Sequence, residues 1–189
     1  MKKRSSKEIF AEALLELAAV KNLNKISVKQ IVDHSGLSLQ TFYNHFKDKS
    51  DLVLWIHKSE GDRLVEKLMN EEDYTFHDLS MDNIRFYLKH RDFILNAMAN
   101  TEGQDSYFAM SNNNAYIVWK EFILRKYKMD SLPEKLEFQL RYCVTAATYM
   151  YYDWAVNRQD MTPEAFSKNL EDAMPPEVKK YLVLGTGAE

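Results

Sequence analysis

The chain has 189 residues, 46% of them hydrophobic and 28% charged, with a formal net charge of -3. That much apolar residue supports a buried core, yet no apolar run approaches the ~20 residues of a membrane span, and Met1-Lys2-Lys3-Arg4 leads into an amphipathic pattern rather than a signal-peptide block. A single cysteine, Cys143, cannot form an internal disulfide and no Cys or His spacing resembles a zinc site, so a cytoplasmic, reducing location is expected, without metal or other cofactor.

The small net charge hides a division. Residues 1–50 hold nine Lys or Arg against five Asp or Glu, a net of +4, and the remaining 139 hold sixteen against twenty-three, a net of -7. A basic head suited to phosphate on an acidic body is the pattern of a nucleic-acid binder whose contact is confined to one end.

Hairpin turns and sustained period-two alternation are missing from the sequence, which predicts an all-α chain. After Ser5-Ser6, the residues Ile9, Phe10, Ala13, Leu14, Leu17 and Ala18 mark one helical face, ended by Asn22-Leu23-Asn24. Ser27 with Gln30 three residues on is a capping box for a second helix with Val28, Ile31 and Val32 toward the core. Ser38 caps a third helix carrying Phe42 and Phe46, and Lys47-Asp48-Lys49 closes it. Ser50 is expected to cap a fourth, with Leu52, Val53, Ile56, Leu64 and Leu68 apolar. The polar stretch from Asn70 to Asp73 follows as a loop. Further helices are predicted over 79–90, 91–100, 104–128, 133–158 and 162–174, with Pro133 and Pro163 at helix starts and Pro175-Pro176 ending the last long one.

The second and third helices are each about two turns long and separated by a turn containing Gly36, which is the spacing of a helix-turn-helix. Gly36 can take the left-handed conformation that ends a helix, and Leu37 can plug the pair. With Phe42 and Phe46 turned to the core, Leu39, Gln40, Tyr43 and Asn44 face outward, a set of amide, phenol and aliphatic groups suited to base edges in a major groove.

At SVKQIVDHSGLS, TFYNHF and KDKSDL the sequence resembles the TetR family of bacterial transcription regulators, over about residues 6–55. The segments YLKHRDFI and YMYYDWAVNRQDMTPEAF resemble the body of the subgroup that includes regulators of dihydroxyacetone kinase operons. The resemblance implies an N-terminal three-helix DNA-binding domain, residues 1–50, and a C-terminal helical effector-binding and dimerisation domain, residues 51–189. It implies phosphate contacts by Ser27, Lys29, Thr41, Tyr43, His45 and Lys49, and base contacts by Leu39, Gln40 and Asn44. The implied partners are double-stranded DNA, a second copy of the chain and a small-molecule effector. Coactivation through a protein partner, known in that subgroup, stays open as the alternative to ligand-released repression.

In the body, Trp119, Tyr149 and Tyr152 are the candidate effector contacts, within walls drawn from residues 79–128 and the inner face of 133–158. For any one of these aromatics a core or interface position is the plainer reading. Residues 133–174 are the expected dimer interface. Catalysis is not expected: Cys143 lies mid-helix with no histidine near it in sequence, His57 and Glu60 read as a solvated face, and no phosphate-binding glycine loop occurs.

Overall fold

The computed structural model describes residues 4–101, 106–157 and 160–183. Met1, Lys2 and Lys3 of the basic N-terminus lie outside them, as do Arg158 and Gln159 of the aromatic body segment. Every regular element among the described residues is helical: α1 (Ser6–Val20), a 3-10 turn (Leu23–Lys25), α2 (Val28–Ser35), α3 (Leu39–Tyr43), α4 (Lys49–Asn70), α5 (Phe76–Lys89), α6 (Arg91–Ala99), α7 (Tyr107–Tyr127), α8 (Glu134–Asn157), α9 (Pro163–Asp172) and α10 (Pro176–Leu182). No described helix is long and apolar enough to cross a membrane. The chain forms two compact units, one of Met1–His57 with His90–Met110 and one of Lys58–Lys89 with Ser111–Glu189.

The first unit is assembled from short helices whose ends are fixed by side chains. Ser5 and Glu8 form a reciprocal capping box at α1, and Ser27 and Gln30 form the predicted one at α2. Gly36 ends α2 with φ of 69°, the left-handed geometry expected of it. Ser38 caps α3 through Thr41 N–H. Phe10 and Phe42 are fully buried, their rings edge-on at 5.2 Å, and Phe46 lies 5.6 Å from Phe42. These three rings with Leu14 and Ile31, both also fully buried, hold the helix-turn-helix on α1.

One helix boundary differs from expectation here. Helix α4 begins at Lys49, and Asp48 rather than Ser50 caps it: Asp48 Oδ1 accepts from Asp51 N–H at 2.9 Å while Asp51 Oδ2 accepts from Lys47 N–H at 3.0 Å. A carboxylate is favoured over a hydroxyl at the positive end of a helix. Helix α6, far along the chain, packs on α1 and the 3-10 turn, so this unit extends beyond the N-terminal segment 1–50.

The second unit is built on long helices. Its core joins Leu64 and Leu68 of α4, Phe122 and Ile123 of α7, and Leu136 and Leu140 of α8. Helix α5 begins three residues before the expected position, because Thr75 and Asp78 make a reciprocal cap: Thr75 N–H donates to Asp78 Oδ2 at 2.9 Å and Asp78 N–H to Thr75 Oγ1 at 3.2 Å. Pro175-Pro176, expected only as a stop, also starts α10, with Pro176 in the first turn, where its missing N–H costs nothing. Val178 and Leu182, four apart on α10, are both buried, and Tyr127 Oη donates to the Tyr181 carbonyl at 3.0 Å.

Candidate nucleic-acid interface

Helix α3 has one buried and one open side. Phe42 is fully buried, whereas Leu39 is 48% and Tyr43 54% exposed, and Gln40 and Asn44 are exposed beside them. Leu39 and Tyr43 thus add apolar and phenolic surface to the open side of a five-residue helix. Gln40 Nε2 donates to Asn44 Oδ1 at 2.9 Å, which holds the two amides side by side and leaves Gln40 Oε1 and Asn44 Nδ2 directed elsewhere. Thr41, half-buried, is hydrogen-bonded through Oγ1 to Ser38 Oγ at 2.8 Å. His45 is exposed next to Phe46.

At the start of α2, Ser27 is exposed with its Oγ accepting from Gln30 N–H at 3.2 Å. Lys29, two residues further, reaches Asp33 at only 3.9 Å and is almost fully in solvent, a weak pairing that leaves its ammonium available. Ser27, Lys29, Leu39, Gln40, Tyr43, Asn44 and His45 are therefore all exposed on the first unit.

Lys49 is placed differently. Its Nζ donates to the carbonyls of Leu23 at 2.6 Å and Ile26 at 2.8 Å, and burial pushes its pKa down. Two of its three N–H donors serve the fold, so any phosphate contact would use the third.

The sequence did not point to Asn96 and Asn100. On α6, Asn96 Oδ1 accepts from Leu23 N–H at 2.8 Å, and its Nδ2 donates to the carbonyls of Lys21 at 2.8 Å and Ala18 at 3.3 Å. Asn100 Oδ1 accepts from the amides of Asn22 and Asn24, and its Nδ2 returns to Asn96. The one signal available was two asparagines four apart, Asn96 within α6 and Asn100 at its C-terminal cap, which names no partner.

In the second unit the three effector candidates are not gathered into one place. Trp119 on α7 packs between Phe76, at 5.8 Å, and Phe122, at 5.6 Å. Tyr149 and Tyr152 pair with each other on α8 at 6.4 Å. Tyr149 is 53% exposed and shares a stripe of α8, at spacings of four and seven, with Phe138 and Tyr142, which are 74% and 64% exposed. An open groove of about 480 Å³ is lined by Lys67, Tyr74, Asp78, Asp82 and Arg85 among others, and by none of the three candidates. Burial acts to raise the Asp82 carboxyl, but hydrogen bonds from Tyr74, Arg85 and Lys67 outweigh it and leave the group below the usual carboxylate range. Cys143 is free and half-buried, and burial pushes its thiol up, away from the reactive thiolate.

Residues 10–56 match the family described as "Bacterial regulatory proteins, tetR family". No curated protein matches the chain in sequence. Among solved structures, the "Dihydroxyacetone kinase operon activator DhaS" superposes with a TM-score of 0.67 at 17% identity, over 93% of this chain and 97% of that one. A TetR transcriptional regulator from Rhodococcus sp. RHA1 gives a TM-score of 0.60 at 15% identity, over 86% and 90%. FadR from Thermus thermophilus, described as a TetR family transcriptional repressor in complex with lauroyl-CoA, gives 0.55 at 14% identity, over 89% and 92%. Residues 10–56 are thus a TetR-type regulatory domain, and the chain as a whole shares the fold of these transcription regulators. The matched segment contains α2, α3 and the turn between them, which carry the exposed residues described above.

Proposed function

We propose that the protein is a homodimeric repressor that reads a palindromic operator with α3 and is released from it by a small-molecule effector. The observation that carries the DNA-reading part is the open side of α3, where Leu39, Gln40, Tyr43 and Asn44 stand exposed over an aromatic core that fixes the helix from behind. Gln40 and Asn44 contact base edges and Leu39 a thymine methyl; Ser27, Lys29, Thr41, Tyr43, His45 and the remaining Lys49 donor contact phosphate. One short helix reads few base pairs, so specificity requires a second copy on a symmetric site. The exposed stripe Phe138, Tyr142 and Tyr149 of α8 is the surface proposed to meet that copy.

The effector contacts proposed are Trp119, Tyr149 and Tyr152. Tyr149 lies on the stripe assigned to the partner copy, so its alanine variant tests dimerisation as well as effector response. By linkage, an effector that weakens DNA binding is itself bound more weakly by the DNA-bound protein, by the same factor.

The test is selection of a duplex from a random pool by the full chain. A two-fold symmetric site is expected, with Gln40→Ala and Asn44→Ala each losing about 1–3 kcal/mol of discrimination at a defined base pair. Unchanged selectivity in the double variant would refute the assigned readout, and a chain that stays monomeric at micromolar concentration would refute the dimer.

A second reading, activation through a protein partner, has support in the full-length fold likeness to DhaS, which is named an activator. Transcription from a promoter carrying the selected site separates the two: repression relieved by a small molecule supports the first, and stimulation that needs a second protein supports the other.

A further inference from the structure

Leu23 sits in the 3-10 turn between α1 and α2, is buried, and has both of its peptide groups taken by side chains from distant parts of the chain. Its N–H is held by Asn96 of α6 and its carbonyl by Lys49 of α4. The second carbonyl held by Lys49 belongs to Ile26, the residue immediately before the α2 cap Ser27. Asn96 uses all of its hydrogen-bonding capacity here: two donors to the end of α1, one acceptor site for Leu23 and another for Asn100. Asn22 and Asn24, flanking Leu23, are tied to Asn100. The short linker that decides where α2 begins is thus braced from two sides.

We propose that Asn96 is a positioning residue for DNA binding: through Leu23 it sets the start of α2, and with it the placement of Ser27, Lys29 and the α2–α3 pair relative to α1. This rests on the proposed role of α2 and α3 in reading DNA. The physical reason is that a turn of three residues has little rigidity of its own. It closes a bond of its own, from Ile26 N–H to the Leu23 carbonyl at 3.1 Å, and the Leu23 N–H and the Leu23 and Ile26 carbonyls are held in addition by side chains anchored in α6 and α4. Removing the amide leaves a buried N–H unpaired and frees the linker to shift. A shift of the α2–α3 pair moves every base contact together while leaving the charge of the unit unchanged. Specific affinity, which needs alignment, falls; nonspecific affinity, which needs only charge, does not.

The test uses the full chain, the duplex it selects from a random pool, and a scrambled duplex of equal length. Asn96→Leu keeps the side chain near its size without its hydrogen bonds, and Asn96→Asp keeps an acceptor for Leu23 N–H. At temperatures well below melting, Asn96→Leu should lower the ratio of specific to nonspecific affinity about three- to tenfold, with the amide of Leu23 exchanging faster. Asn96→Asp should fall between it and the parent in both measurements. A merely stabilising side chain would lower the melting temperature and leave the ratio alone. An unchanged ratio with a deprotected Leu23 amide overturns the proposal, as does a reduced ratio with Leu23 still protected. If Asn96→Leu does not fold, Asn96→Asp decides by the same two readings. If the parent chain selects no duplex at all, the DNA-reading role fails first, and this proposal with it.

Discussion

Helices α2 and α3 span 8 and 5 residues, while α8 spans 24, and the two regions to which they belong hold their helices by different means. Helices shorter than about 12 residues are marginal on their own in water. In the N-terminal unit they persist because each start is capped by a serine and because Phe42 and Phe46 are packed with Phe10. In the other unit long helices carry an extended apolar core and cross-links such as Tyr116 and Lys120 on Glu137, and Arg125 on Glu66. The difference shows two ways of spending sequence. The head uses a few residues that each do a local, decisive thing, and the body uses many that act only together.

The most severe way to break this contrast is Phe42→Ala. Losing a fully buried phenylalanine costs about 3–5 kcal/mol, a large part of the stability of a typical domain. The expected result is loss of amide protection in α1–α3 and of DNA binding, with most far-UV helical signal retained from the longer helices. Hydrogen exchange with circular dichroism checks it, and protected α1–α3 amides in the variant would show that the head does not depend on its aromatic centre.

A pair of identical substitutions with opposite signs sharpens the contrast. An added Cβ meets nothing within 4 Å at either Gly36 or Gly61, so backbone conformation alone decides the outcome. Gly36→Ala, at φ of 69°, should destabilise by about 1–2 kcal/mol. Gly61→Ala, inside α4, should stabilise by about 0.5–1 kcal/mol. Urea midpoints measure both, and a stabilising Gly36→Ala would contradict the left-handed turn.

The smallest effect is expected at Asp82. Its carboxyl lies below the ordinary range when folded, so its contribution is present above the ordinary carboxylate pKa and is lost as pH falls through the lowered folded value. Asp82→Asn should remove that acid-side dependence, with a change below about 1 kcal/mol at neutral pH, because the ion pairs with Lys67 and Arg85 are partly in solvent. Stability curves from pH 7 down to acid for the parent and the variant provide the check, and parallel curves would show that the hydrogen bonds to Asp82 contribute nothing.

The sequence by itself determined the all-helical class, the capping box at Ser27 and the cap at Ser38, the left-handed Gly36, and the division of α3 into a buried Phe42 side and an open Leu39, Gln40, Tyr43 and Asn44 side. Each of these depends on residues within about four positions of one another, where covalent geometry and helical period leave few alternatives. The cap of α4 was also local but was a competition between Asp48 and Ser50, and the stronger acceptor took it. Only tertiary structure decided that Lys49 turns toward the Leu23 and Ile26 carbonyls, that Asn96 of α6 closes on the same turn from 73 residues away, and that α10 adds Val178 and Leu182 to the core. It also decided which aromatics of α8 stay outside: Phe138, Tyr142 and Tyr149 are exposed, whereas Trp154 is buried and stacks on Phe166. Apolar residues ring much of that helix, so its own period could not choose the buried side. The choice was made by what the other helices brought against it, and that depends on contacts between residues far apart in the chain.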